Sequence, residues 1–158
     1  MRAVRRIGIL ERMKAVLAGI KAGATYHYTI GGDRVYSGLR VWTECGGYPA
    51  VMVYWGSDHR GVEYLTDGRV MIYPTVVVAA YVDGEDGDFV KKMLKVLSDV
   101  ELAVESDLSS NAAGSLGALV DWGRIGAVVT DEGELGLEGL AGFRMEVNIC
   151  LTGEWGDF

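Results

Sequence analysis

Cysteine, proline and histidine are all scarce in this chain, with two of each among 158 residues. Cys45 and Cys150 lie far apart and in no CxxC or zinc-like spacing. That argues against a disulfide framework or a structural metal and for free thiols in a reducing cytosol. A long apolar run is also lacking. The longest uncharged stretch, Val70 to Val82, is interrupted by Pro74 and falls short of the ~20 residues that span a bilayer, so it reads as a strand region. Arg2, Arg5 and Arg6 imitate the basic start of a signal peptide, but Glu11, Arg12 and Lys14 break the apolar stretch that should follow, and no export is expected. Excess basic charge is absent too. The net charge of -7 disfavours a general nucleic-acid binder, which neutralises phosphates with clustered Lys and Arg.

The composition that remains, 49% hydrophobic and 23% charged, is that of a globular chain, and the length fits one domain over residues 1–158. Twenty-three glycines predict many turns and prominent loops. Charge is unevenly spread. Residues 1–21 carry six basic side chains against Glu11, whereas residues 121–158 carry eight acidic ones against Arg124 and Arg144. These ends either neutralise each other within the domain or meet across subunits in a head-to-tail contact.

Ile7, Leu10, Met13, Leu17 and Ile20 recur at steps of three and four, predicting a helix from Arg2 to Ala22 stopped by Gly23. Tyr26, Tyr28 and Ile30 alternate with polar residues, and Gly31-Gly32-Asp33 offers a turn into an extended stretch from Arg34 to Val41, predicting a hairpin. Pro49 to Trp55 reads as a buried strand. Next, Val62 to Thr66 meets Arg69 to Tyr73 through Asp67-Gly68, a pair suited to a two-residue type I′ turn. That turn sets Tyr64 opposite Met71 and Val62 opposite Tyr73, with Leu65 opposite Val70 on the other face. Such a hairpin, apolar on both faces, either lies between layers of its own domain or protrudes into a neighbour.

Thr75 to Val82 predicts another strand. A polar loop, residues 83–88, leads into a helix that Asp88 can cap. Phe89, Met93, Val96 or Leu97, Val100 and Val104 mark the buried stripe of that helix, with its acids and lysines facing water. Residues 106–117 read as a loop rich in Ser, Asn, Ala and Gly. Arg124 to Thr130 and Gly142 to Leu151 give the last two strands. Phe143, Met145, Val147, Ile149 and Leu151 point to the core, and Arg144, Glu146, Asn148 and Cys150 away from it. The acidic connection between these strands is long enough to suggest function or disorder. The order of elements predicts an α+β fold: a mostly antiparallel sheet with two amphipathic helices packed on one face, plus a protruding β-hairpin.

Catalytic groupings are thin. Cys45 with His27 or His59 has the residue types of a nucleophile and base but no motif spacing. Asp58, His59 and Glu63 have metal-ligand chemistry, yet neighbours on a strand point to opposite sides. Gly114 to Gly117 lacks the Lys-Ser/Thr of a phosphate loop, and flexible-loop glycine accounts for it. Trp42, Trp55, Trp122 and Trp155 read as core or rim anchors as readily as stacking surfaces. In the tail from Thr152 to Phe158, Trp155 and Phe158 are exposed unless they dock on something. No catalytic residue, cofactor or metal is expected. A small cytosolic enzyme or ligand-binding domain, with a deep pocket at His59 or Cys45, is the competing reading.

Three segments carry a resemblance: Gly47-Tyr48-Pro49-Ala50-Val51, the hairpin Glu63 to Arg69, and Leu97 to Val104 at the end of the second helix. Together with the layout of elements, the chain resembles tail terminator (tail completion, minor tail) proteins of long-tailed bacteriophages. The resemblance implies a non-enzymatic virion protein, made in the bacterial host cytoplasm. It implies a hexameric ring at the head-proximal end of the tail tube, halting tube polymerisation and providing the surface for the head connector. Its implied partners are copies of itself, the tube protein and the connector or neck protein, with no membrane. Another neck or tail-tube component of similar layout is the nearest alternative. The apolar hairpin suits a subunit contact through Tyr64, Leu65, Arg69, Met71 and Tyr73, with Trp155 and Phe158 as further contacts. Glu132, Glu134 and Glu138 are expected to line a lumen through which DNA passes without specific binding.

Overall fold

In a computed structural model, residues 4–57, 61–84, 88–109, 116–131 and 140–158 are described. Among these residues, two α-helices, α1 (Arg5–Ala18) and α2 (Phe89–Leu108), accompany seven strands: β1 (Val35–Ser37), β2 (Ala50–Ser57), β3 (Val62–Tyr64), β4 (Val70–Ile72), β5 (Thr75–Asp83), β6 (Trp122–Asp131) and β7 (Leu140–Gly153). All seven strands join one sheet, antiparallel except for β1 beside β2. This is the α+β arrangement expected from the pattern.

The sheet is organised by β7. Val70 lies opposite Gly153, Ile72 opposite Leu151, Thr75 opposite Asn148 and Asp83 opposite Leu140, so β4 and β5 are two parts of one ladder in a single register. Pro74 interrupts it because proline has no N–H to donate; its carbonyl still accepts from the Ile149 N–H at 3.1 Å. On its other side β7 carries β6. Strands β2 and β3 flank β5 and β4 respectively, and the β3–β4 hairpin has its tip at 65–69.

Alternation sorts the side chains. Val51, Val53, Val76, Val78, Phe143, Met145, Val147 and Ile149 form the core with Ile9, Met13 and Leu17 of α1 and Met93, Val96, Val100 and Val104 of α2. Each fully buried Val, Leu or Ile contributes roughly 1.5–3 kcal/mol, and this shared core places both helices on the same face of the sheet. The segment 38–49 returns across the opposite face, where the Arg40 N–H reaches the Met52 sulfur at 3.4 Å.

Several expectations are corrected. Helix α1 stops at Ala18, and its buried stripe is Ile9, Met13 and Leu17; Ile7 is exposed and Leu10 only half-buried. Ile20 is buried beyond the helix end, where its carbonyl accepts the Ile30 N–H, so the chain turns back a few residues early. The predicted hairpin around Gly31–Asp33 does not form. Residues 32–34 make a 3-10 turn and β1 pairs in parallel with β2, so its hydrogen bonds go to a distant strand. At the 62–72 hairpin the register differs by one. Val62 faces Ile72, Glu63 faces Met71 and Tyr64 faces Val70. The loop is the three residues Thr66-Asp67-Gly68, because the Asp67 carboxylate captures the Arg69 N–H at 3.1 Å and Gly68 takes φ +85, closing the ladder at Leu65 and Arg69. One residue of slip exchanges the faces: Val62, Tyr64, Val70 and Ile72 now share the helix side, Glu63 and Met71 the other.

Candidate assembly surfaces

The face of the sheet turned away from the helices is covered in part by the returning segment, with Met52, Thr75 and Val77 buried on it, and is open beside that cover. Along its upper half run Tyr54, Ala79, Tyr81, Gly142, Arg144 and Val129, joined by Leu39 from the returning segment, around a groove of about 260 Å³. Its floor is low because Ala79 and Gly142 are small. A Cβ at Gly142 would stand 2.9 Å from the Ala80 carbonyl oxygen, so β5 and β7 leave no room for a side chain there. Leu39 and Val129 are mostly exposed on its rim. The lower half carries Tyr73 and Trp122 with ring centroids 6.2 Å apart, above buried Cys150.

Of the residues expected at an interface, Tyr64 is the most exposed, at 76%, and Arg69 is exposed but held by Asp67 at 2.7 Å. Leu65, Met71 and Tyr73 are half-buried, and the Tyr73 hydroxyl donates to the Met71 sulfur at 2.9 Å. Partial burial, then a hydrogen bond and the charge of Glu63, push the Tyr73 phenol up. Trp155 is 60% exposed, whereas Phe158 is buried against the core and supports Trp155 edge-to-face at 6.2 Å. The tail is therefore docked, with one aromatic inward and one outward. Glu132, Glu134 and Glu138 lie outside the described residues, as do Asp58 and His59.

The polarised termini meet in part. Arg5 reaches Asp121 at 3.9 Å and donates to the carbonyls of Leu119 and Thr152 at 2.6 and 2.8 Å, tying α1 to the end of the sheet. Arg12 instead pairs with Asp107 of α2.

The catalytic groupings weighed from sequence acquire other partners. His27 Nδ1 is 2.8 Å from Asp99. The Cys45 thiol donates to the Val41 carbonyl at 3.7 Å, and burial raises its pKa, favouring the unreactive thiol. Burial also pushes the Cys150 thiol up to about 11, with the nearby Asp121 and Glu63 carboxylates adding to it. Among the described residues no three His, Cys, Asp or Glu side chains converge as a metal site would require. Trp42, Trp122 and Trp155 are rim residues. Trp55 is half-buried, with the Arg6 guanidinium 5.6 Å from its ring. In the glycine-rich connection Leu116 is fully buried, although Leu116, Gly117 and Ala118 all adopt positive φ. A left-handed non-glycine residue costs roughly 1–2 kcal/mol, and burying the Leu116 side chain offsets it.

Sequence reasoning missed Asp99. It is 1% exposed on the inner face of α2 and accepts the backbone N–H groups of His27 and Tyr28 at 2.9 Å as well as the His27 ring. The signal was available: Asp99 lies three residues after Val96, on the apolar stripe, where an acid is buried only with donors to satisfy it.

No family model matches the chain, and no curated protein matches it by sequence. Among solved structures, the fold is similar to that of a chain in the virion of a native gene transfer agent (GTA) particle, at a TM-score of 0.55 and 14% identity, covering 97% of this chain and 100% of that one. At that identity the likeness is one of fold.

Proposed function

We propose that this chain is a non-enzymatic virion protein of the tail terminator kind: six copies form a ring on the head-proximal end of a phage-type tail tube. The ring stops tube polymerisation and presents the surface that the head connector binds. The observation that carries this reading is the fold shared end to end with a subunit of a gene transfer agent virion. A bare apolar groove, an exposed hairpin tip and an outward Trp155 support it, since exposed apolar patches of this kind mark association surfaces. Tyr64, Leu65, Arg69, Met71, Tyr73 and Trp155 are the side chains assigned to subunit or partner contact. Phe158 holds the tail in place from within. The acidic segment with Glu132, Glu134 and Glu138 is assigned to the lumen, where like charge keeps passing DNA from adhering.

The test is addition of the purified protein to polymerising tail tubes. Tubes that stop at fixed length with a six-fold cap support the reading; tubes that grow freely overturn it in favour of another neck or tube position. For the lumen, replacing the three glutamates with lysine is expected to slow DNA passage through intact rings. Unchanged ejection refutes that assignment.

A further inference from the structure

Three strands have an outer side with no partner among the described residues: β1, beside β2 only, and β3, beside β4 only, on one side of β7, and β6, beside β7 only, on the other. An unpaired edge presents a row of N–H and C=O groups that another strand can satisfy, and soluble proteins usually blunt such edges with Lys or Pro. Residues 122–131 contain neither. The one irregularity in β6 is a bulge between Ile125 and Val128, which leaves Trp122 to Ile125 as a regular segment, close in length to β3.

We infer that β3 of one copy pairs with the Trp122–Ile125 segment of the next, continuing one antiparallel sheet from subunit to subunit. This rests on the annular reading above and names the contact that builds the ring. Strand direction supports it. β3 is antiparallel to β4, β4 to β7, and β7 to β6, so β3 and β6 run in opposite senses. Rotating a copy about an axis along the strands therefore sets its β6 antiparallel to the neighbour's β3 while both helix layers stay on the same side. A head-to-tail contact that closes by rotation requires that relation.

Side chains at the β3 and β6 edges are complementary. Glu63 shares the face turned away from the helices with Met71, and Arg124, opposite Asn148, lies on that same face at the β6 edge. The Arg124 guanidinium sits 5.7 Å from the Trp122 ring, and among the described residues no carboxylate pairs with it. Edge pairing brings opposite charges together there, and on the helix side it brings exposed Val62 and Tyr64 against half-buried Ile125.

The test uses the full chain carrying Cys45→Ser, with Glu63→Cys and Arg124→Cys combined. Oxidation is expected to give a ladder of cross-linked species ending in one closed oligomer, while either cysteine alone gives none. Glu63→Arg or Arg124→Glu alone should weaken self-association at least tenfold in sedimentation, and the two together should restore it. All four variants lie on exposed edge positions, and circular dichroism verifies their fold. A dimer cross-linked through Arg124→Cys alone assigns β6 to a two-fold contact and overturns the inference. Rings of normal mass that neither cross-link nor respond to charge reversal overturn it and leave the annular reading standing. A chain that stays monomeric to about 1 mM, the weakest association of interest, overturns it as well, and the tube-capping assay then judges the annular reading by itself.

Discussion

Asp99→Ala offers the sharpest test of how this fold holds together. The carboxylate is 1% exposed and accepts from the His27 N–H at 2.9 Å, the Tyr28 N–H at 2.9 Å and His27 Nδ1 at 2.8 Å, fastening the segment after α1 to the middle of α2. Hydrogen bonds to a charged group contribute roughly 1.5–3 kcal/mol each, and a buried donor left without a partner costs about 1–3 kcal/mol. His27 is half exposed, so its ring regains water and the loss falls on the two backbone donors. The expected destabilisation is about 3 kcal/mol, which for a domain of this size lowers Tm by roughly 6–12 °C. Asp99→Asn should lose about 2 kcal/mol, since its oxygen accepts while its NH2 faces a donor. His27→Ala should lose about 1 kcal/mol or less, because both backbone bonds persist. Urea unfolding at constant m reads all three. If Asp99→Ala falls within about 0.5 kcal/mol of the parent, or His27→Ala equals it, the carboxylate is not the fastener described.

Gly123→Ala should destabilise by about 1–3 kcal/mol in the same assay, because its Cβ would lie 2.6 Å from Leu108 Cδ2 and 3.3 Å from Ile149 Cγ2 in the packed core. Alkylation of the native protein with iodoacetamide at pH 8 should add one label, at Cys45. With its thiol near 11, buried Cys150 is roughly a thousandth thiolate there and should react only on unfolding, as peptide mass mapping shows. Asp67 should titrate below the ordinary carboxylate range in carbon NMR, held down first by the Arg69 N–H and then by its side chain. Whatever stability it lends is present above the unfolded carboxylate's pKa and lost as pH falls through the lowered folded value. In Arg69→Gln the value should rise only part of the way, because the backbone donor remains; full return to the ordinary range contradicts this geometry.

Strand β7 was legible because five apolar residues alternate with polar ones, and α2 because its stripe recurs at helical spacing over five turns. Both patterns are local. The pairing of β1 was illegible: a three-residue strand carries no period, and its parallel partner lies beyond the returning segment. The hairpin slip turned on a side chain, since Asp67 competes for the Arg69 N–H and converts a two-residue turn into a three-residue loop. Of the assembly surfaces, exposed Tyr64 and Trp155 could be anticipated from local sequence. The groove between Leu39 and Val129, and the opposed charges of Glu63 and Arg124 at the β3 and β6 edges, could not, because each joins residues far apart in the chain.

By itself, then, the order of residues determined the strongly periodic elements, α2 and β7, and which of their faces turn inward, because those follow from backbone periodicity and the avoidance of buried polar groups. Only the tertiary structure decided that residues 70–83 form one ladder on β7, that Asp99 is a buried fastener, and that β1, β3 and β6 stand at the edges of the sheet among the described residues. Those outcomes depend on which distant segments satisfy each other's hydrogen bonds, and that competition is settled only when the whole chain packs.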